Sequence, residues 1–181
     1  VIKPPGSAPP AVFDLVRESL GMTRETVRRN GGAILELAVN QIADRIADGR
    51  ADIYFEGAVR GHPTLTEVTT TTPMVFYPLS GRMLEFLSAR GLKPDPLPAW
   101  FKGQRGAVAA ADCGTILIAR DDLAEEVAYL ITKTICENRE AMARAHKAWA
   151  EFEPAAAGRM ENTGIPLHPG AERYYREKGW L

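Results

Sequence analysis

The turn Pro4-Pro5-Gly6-Ser7 is the first place where the residue types could bind a ligand. Ser7 is a typical N-cap, and Pro9-Pro10 fit the first turn of the helix that follows. A helix N-terminus offers unpaired N–H groups and about half a positive charge, so a carboxylate can bind there. Because proline has no N–H, the remaining donors are the Ser7 hydroxyl and the N–H groups of Gly6, Ser7 and Ala8. The alternative is that Ser7 caps the helix and does nothing more.

A second candidate is the segment Phe55-Glu56-Gly57-Ala58-Val59-Arg60-Gly61-His62-Pro63, which follows a predicted strand. Its glycines let the backbone approach a ligand closely. Arg60 could hold a carboxylate with two parallel hydrogen bonds, although a loop arginine can equally be solvated. The candidate ligand-binding residues of this segment are Phe55, Glu56, Gly57, Arg60 and His62.

The spacing of histidine and cysteine predicts no metal site and no cofactor. His62, His146 and His168 are the only histidines, and neither Cys113 nor Cys136 has a CxxC partner. A nucleophilic Cys113 with His168 as its base would require the two residues to meet in space without any local signature. We therefore expect Cys113 to pack in the core at the start of a strand, and we assign no catalytic residue.

Composition argues against several classes of partner. The 181 residues carry 22 Lys and Arg against 23 Asp and Glu, so no overall field favours nucleic acid or an anionic membrane. No apolar run approaches the roughly 18 residues needed to span a bilayer. Hydrophobic residues make up 45% and charged residues 25%, a balance typical of a globular protein with one ordinary domain or somewhat more.

Hydrophobic periodicity predicts an α/β lobe followed by helical segments. Strands are predicted at residues 1–3, Asp52–Phe55, Met74–Tyr77 and Thr115–Ala119. Helices are predicted from the Ser7 cap to Leu20, and over Ala33–Asp48, Pro63 to about Thr70, Gly81–Ala89, Leu123 to about Asn138 and Glu140 to about Ala150. Strands separated by single helices indicate a largely parallel sheet with helices on both faces.

The C-terminal segment Ile165–Gly179 has an unusual order of residues. Pro166 and Pro169 bar helix on either side of Leu167-His168, and Gly170-Ala171 opens a short helix that ends at Gly179. That helix carries the neighbouring tyrosines Tyr174 and Tyr175. We interpret the segment as a clamp that packs the tail onto the body of the protein.

The order of Pro, His, Pro, Gly and paired Tyr in Ile165–Gly179 strongly resembles the C-terminus of the TAXI family, the solute receptors of TRAP transporters. The Pro-Gly-Ser turn, the run Thr69–Pro73 and Asp121-Asp122-Leu123 resemble the same family at similar spacings. The resemblance covers nearly the whole chain. It departs at Ala8-Pro9-Pro10, where the family has Gly, Ser or Thr after the serine.

The resemblance implies a fold, a function and a division into domains. It implies a periplasmic-binding-protein-like (type II) lobe whose mixed, largely parallel sheet is flanked by helices. Residues 1–110 would form the second lobe of a receptor. Residues 111–181 would form a crossover strand and helices that complete or brace a first lobe largely absent from this chain. No cofactor or enzymatic activity is expected.

The function implied is that of a periplasmic or extracytoplasmic receptor in a tripartite TRAP importer. It would capture a small anionic solute, such as glutamate or 2-oxoglutarate, in an interlobe cleft and deliver it to the membrane subunits. No nucleic-acid partner and no membrane insertion are expected. The alternatives are the effector-binding domain of a transcription regulator and, less favoured, a small hydrolase that uses Cys113.

Two apolar surfaces remain to be assigned. Leu123, Val127, Leu130, Ile131 and Ile135 share one face of a predicted helix, and burying them is worth about 1.5–3 kcal/mol each before entropy is counted. This face would be covered by a first lobe, by a second copy of the chain in a homodimer, or by folding back onto the second lobe. Trp100-Phe101 could lid a cleft, dock membrane subunits, or pack on its own lobe.

Overall fold

The structure is a computed structural model that describes residues 1–181. The chain divides into two compact units, Val1–Cys113 and Gly114–Leu181. The first unit contains α1 (Ala8–Ser19), α2 (Arg24–Arg29), α3 (Val39–Ala47), α4 (Pro63–Thr71), α5 (Gly81–Ser88), β1 (Lys93–Pro94) and β2 (Ala111–Asp112). The second contains α6 (Glu125–Glu137), α7 (Arg139–Ala145), a 3-10 helix (Lys147–Glu151), α8 (Pro154–Ala157), α9 (Met160–Thr163) and α10 (Pro169–Glu177).

The fold is rich in helix and has one regular sheet, in which β1 and β2 are antiparallel and Lys93 lies opposite Asp112. The prediction of a largely parallel sheet is therefore not confirmed. Parallel pairing is limited to short contacts around the first residues. Ile2 forms a parallel bridge with Glu36. On its other side, the Val1 ammonium donates to the Ile53 carbonyl, and the Phe55 N–H donates to the Val1 carbonyl at 3.1 Å.

The strands predicted at Asp52–Phe55 and Met74–Tyr77 are absent. The first segment pairs only with the single residue Val1, which is too short a contact to make a strand. In the second segment the side chains of Val75 and Tyr77 are 72% and 85% exposed. Met74 packs against the cluster that joins α3 and α4, and Phe76 stacks on Phe101. No other strand pairs with the segment, however, and an alternating pattern alone does not make a strand.

Helix boundaries agree more closely with the predictions. The helices α1, α4 and α5 each begin and end within about a residue of the predicted positions. The predicted helix Ala33–Asp48 is wrong in its first part, because α3 begins only at Val39. The preceding residues Leu35 and Leu37 instead exchange backbone hydrogen bonds with Ile2, of 3.0 and 3.1 Å. The short helix α2 was not predicted.

Two apolar clusters stabilise the first unit. One is formed by Val16 of α1 with Leu87 and Leu92, at the end of α5 and just after it. The other joins α3 and α4 through Ile42, Ile46 and Val68. A separate loop contact buries Phe101, which stacks on Phe76 with ring centroids 6.0 Å apart. Of the alternatives for Trp100-Phe101, the structure thus favours packing within its own unit for Phe101.

The second unit is built around the contact of α10 with α6. Its buried cluster contains Cys136 of α6 with Tyr174 and Tyr175 of α10. Trp180 closes the cluster, with its ring 6.1 Å from that of Tyr174. The approach depends on Gly170, because a Cβ at that position would collide with the Glu125 carbonyl oxygen and lie 2.7 Å from the Tyr129 nitrogen. The C-terminal segment therefore packs on α6, as a clamp would.

The strand predicted at Thr115–Ala119 is also absent, and its burial was predicted wrongly. Ile116, Leu117 and Ile118 are exposed. Cys113, which we expected in the core, is exposed as well. Nothing in the segment Thr115–Ala119 donates or accepts a backbone hydrogen bond to a neighbouring segment, so its β-branched side chains have no sheet to complete.

The helix α6 buries a different face from the one its large apolar residues suggest. The small residues Ala128 and Cys136 are buried, whereas Val127, Leu130 and Ile131 are exposed. Because α10 approaches α6 closely, small side chains fit best between the two helices, and the face of α6 that carries them is the one that is buried. The predicted helix Glu140–Ala150 is divided at His146 into α7 and the 3-10 helix, because His146 has an extended backbone.

Candidate functional site

The N-terminus of α1 is open, as a ligand site requires. Ser7 precedes the helix in an extended conformation and makes no side-chain capping hydrogen bond. Gly6, Ser7 and Ala8 are all exposed, and the first turn of α1 carries no acidic side chain. Gly6 has φ of 102°, a conformation that favours glycine, and no atom lies within 4 Å of a Cβ placed there. The donors of this turn and the Ser7 hydroxyl therefore remain accessible.

Glu56 is the most deeply placed charged group near this turn. Its side chain is 2% exposed, and it forms an ion pair of 2.9 Å with the Lys3 ammonium, whose side chain is 21% exposed. The same carboxylate oxygen, Oε2, accepts a hydrogen bond of 2.7 Å from the Tyr54 hydroxyl. The other oxygen, Oε1, accepts one of 2.8 Å from the Gly57 N–H. Both oxygens thus have partners within the unit, and Glu56 neutralises Lys3.

Tyr54 acts as a permanent hydrogen-bond donor to that carboxylate. Burial, followed by the hydrogen bond to Glu56, raises the pKa of Tyr54 well above its ordinary value. The phenol therefore stays protonated under any physiological condition. It holds the Glu56 carboxylate in one orientation, and through it the Lys3 ammonium.

His62 lies at the start of α4 and is a cap. Its Nδ1 atom accepts a hydrogen bond of 3.2 Å from the Leu65 N–H. Burial lowers the pKa of His62, while Glu56 raises it and Lys3 lowers it to smaller extents. The ring is therefore neutral at pH 7 and adds no positive charge to the site. Arg60 lies exposed on the turn before α4.

Three contacts bring the two predicted segments to the same end of the first unit. The Lys3–Glu56 pair joins the residue before the Pro-rich turn to the loop after Phe55. The rings of Phe13 and Phe55 meet edge to face at 5.4 Å. A Cβ placed on Gly57 would lie 3.8 Å from the Pro9 side chain. Lys3 and Pro9, which lie on either side of Gly6–Ala8, are therefore close to Glu56 and Gly57, although the two segments are far apart in the sequence.

Lys3 and Tyr54 were not predicted from the sequence. Neither belongs to a recognisable motif, and each is placed by backbone pairing of the residues beside it. The signal that was available is the unlike charge of Lys3 and Glu56. Lys3 is the last residue of one predicted strand and Glu56 follows another, and the two strands would end at the same sheet edge. Glu56, which we predicted as a ligand-binding residue, forms a buried ion pair with Lys3.

Other reactive side chains have hydrogen-bond partners within the protein or lie apart from one another. Both ring nitrogens of His168 are engaged within the second unit, by the Gly170 N–H and the Leu123 carbonyl. Burial raises the pKa of the Cys136 thiol. No group of three or more His, Cys, Asp or Glu residues lies close enough to hold a metal ion. No helix combines the length and the apolar character that crossing a membrane would demand.

Comparison with known protein families places this chain beside a described family. A family model described as the NMT1-like family matches residues 2–179. NMT1-like families include periplasmic solute-binding proteins, and solute-binding proteins of this kind are commonly extracytoplasmic. Because the match extends over nearly the whole chain, the chain belongs to the NMT1-like family.

Proposed function

We propose that this chain captures a small anionic solute as part of a substrate-binding receptor, and that the open turn Gly6-Ser7-Ala8 holds a carboxylate of that solute. The observation that carries the proposal is the exposed N-terminus of the twelve-residue helix α1, which has no side-chain cap and lies next to the Lys3–Glu56 ion pair. Family membership supports a receptor in general.

The chemistry of capture follows from the donors present. N–H groups at the start of α1 and the Ser7 hydroxyl can surround a carboxylate, and the helix dipole adds an attraction. Lys3 has three donor hydrogens, of which Glu56 does not use all, so its ammonium is a second anchor for the same anion. The negative charge of Glu56 balances the positive charge of Lys3. This unit alone would therefore add little binding free energy for a second negative charge on the solute.

The finer assignment that we propose is a TAXI-type receptor of a TRAP importer outside the cytoplasm, with glutamate or 2-oxoglutarate as typical solutes. It is supported by the resemblance of Ile165–Gly179 and of the Pro-Gly-Ser turn to that family. The first unit would be a periplasmic-binding-protein-like lobe, and membrane subunits would receive the solute. In the working receptor, a first lobe or a second copy would cover the exposed apolar residues Ile116–Ile118, Val127, Leu130 and Ile131.

The proposal is tested by isothermal titration calorimetry with glutamate and 2-oxoglutarate. Ser7→Ala removes one hydrogen bond to the anion and is expected to weaken binding by about 1 kcal/mol, close to fivefold. Ser88→Ala, at the exposed end of α5, is the matched control and should leave affinity unchanged. Equal affinity of the Ser7→Ala variant and the unchanged chain would rule out the turn as the site.

A further inference from the structure

The helix α6 carries an apolar stripe on the side that does not face α10. Val127, Leu130 and Ile131 are 43%, 51% and 38% exposed, and the half-buried Leu123 lies one turn before Val127. At about 100° per residue, these four positions fall within about 100° of the helix circumference, which is the width of a typical packing face. The stripe therefore has the form of a helix contact, and no element of its own unit covers it.

The exposed apolar area matches the core of a small interface. The stripe and the exposed run Ile116–Ile118 together leave about three whole aliphatic side chains in water, which is on the order of 300 Å² of apolar surface. A specific interface buries about 800 Å² on each partner, and rather more than half of this is apolar. An exposed patch of this size on a single chain often marks a docking surface.

The charges beside the stripe are distributed unevenly along α6. Near the start of the helix, the guanidinium of Arg173 forms ion pairs with three carboxylates: Glu125 at 3.0 Å, Glu126 at 2.7 Å and Glu177 at 3.9 Å. Three carboxylates around one cation leave an excess of negative charge. Two turns after Glu126, and on the same flank of the stripe, Lys133 forms no ion pair within its own chain.

An antiparallel pair of α6 helices would satisfy both the stripe and the charges. When Val127 of one copy lies opposite Leu130 of the partner subunit, symmetry creates a second, identical layer about the twofold axis. The same register brings Glu126 beside Lys133 of the partner subunit, and the reciprocal pair forms by symmetry. The excess of negative charge at the start of one helix is then balanced by the unpaired ammonium of the other.

We infer that this chain forms a homodimer through its second unit, in which two α6 helices pack antiparallel, stripe against stripe, with reciprocal ion pairs between Glu126 and Lys133. The flank opposite these charges carries Ala124 and Ile131, which meet across the same axis without a charge. The partner is a second copy because the stripe and the uneven charge are each complementary to themselves. The dissociation constant is expected on the order of 10 µM, since the interface is small. The inference involves no solute and does not depend on the proposed function.

Sedimentation equilibrium of the full chain between about 1 µM and 500 µM tests the dimer. The mass should rise from that of one chain to that of two. Leu130→Glu places a carboxylate in the centre of the stripe and should raise the dissociation constant at least about hundredfold. Met160→Glu is the matched control, because Met160 is 59% exposed in the same unit but lies outside α6, and it should leave the dissociation constant unchanged. A mass that stays at one chain throughout, or an equal effect of both variants, would overturn the inference.

Two charge variants at exposed positions test the register. Lys133→Glu and Glu126→Lys each bring like charges together in their own homodimer, so each should associate about tenfold more weakly than the unchanged chain. In an equimolar mixture, one partner has two carboxylates on the charged flank and the other has two ammonium groups. Both reciprocal pairs are then of unlike charge, and the mixture should associate as tightly as the unchanged chain. A mixture that associates no more tightly than its components would contradict the antiparallel register and overturn the inference.

Discussion

The helices α4 and α10 begin in the same way and serve the protein differently. Each is nine residues long, follows a histidine cap and has proline as its first residue. At the second position α4 carries the buried side chain of Thr64, whereas α10 has Gly170, whose backbone lies against α6. In α10 the His-Pro start brings two helices into close contact. In α4 it ends an exposed loop that begins next to Lys3, Glu56 and the open turn of α1.

A local start signal therefore does not determine what a helix packs against. The cap and proline specify where the helix begins, and the side chain at the next position decides how closely another helix can approach. The buried residues of α4 are Thr64, Leu65, Val68 and Thr69, and Val68 joins the helix to α3. The large buried side chains of α10 are aromatic: Tyr174 and Tyr175 pack in the cluster with Cys136.

The largest effect is expected at the close contact of α10. Gly170→Ala places a Cβ against the Glu125 carbonyl oxygen and 2.7 Å from the Tyr129 nitrogen, and neither backbone atom can move without shifting α6. We expect the second unit to lose about 3 kcal/mol or more of unfolding free energy. Gly81→Ala is the matched control, since it also lies at a helix start and a Cβ there meets no atom within 4 Å. Urea unfolding that is equal for both variants would contradict the close contact.

An intermediate effect is expected at the ion pair beside α4, where the two partners should be unequal. Lys3→Met leaves the Glu56 carboxylate, 2% exposed, without its cation and should cost about 3 kcal/mol. Glu56→Gln leaves Lys3, which water reaches more easily, and should cost about 1 kcal/mol. Chemical denaturation of the two variants measures the difference. Equal losses would show that Glu56 is as accessible to water as Lys3.

The smallest effect is expected at the caps themselves. His62→Ala removes the acceptor for the Leu65 N–H and should destabilise the first unit by about 1 kcal/mol at pH 7.5. His62→Asn keeps an acceptor oxygen and should restore most of that loss. Thermal unfolding of the three proteins checks both statements. If Asn were no better than Ala, the ring of His62 would be stabilising α4 by packing and not by the hydrogen bond.

The sequence predicts helices here better than it predicts strands, for a physical reason. Ser7 and His62-Pro63 are signals read within one turn of chain, and the helices after them begin as expected. A strand needs a partner elsewhere, and the apolar runs Met74–Tyr77 and Thr115–Ala119 have none in the structure. The start of α3 was misplaced because Leu35 and Leu37 bond to Ile2, a contact that periodicity does not reveal.

The candidate site shows the same difference between local signals and contacts of distant segments. The open turn at Gly6, Ser7 and Ala8 was predicted from local cues, and the structure leaves it exposed. The pairing of Lys3 with Glu56, and the support from Tyr54, depend on two segments meeting in space. The residues next to Glu56 in the sequence do not indicate this contact. The burial of Glu56 could therefore not be predicted from its loop.

We propose that the turn before α1 binds a carboxylate, and NMR titration of the nitrogen-15-labelled chain tests this binding most directly. Glutamate and 2-oxoglutarate should shift the amide signals of Gly6, Ser7 and Ala8 most, with a smaller change at Gly57. An uncharged amide of similar size should leave them unmoved. Shifts that are largest away from this turn, or absent at saturating solute, would contradict the claim.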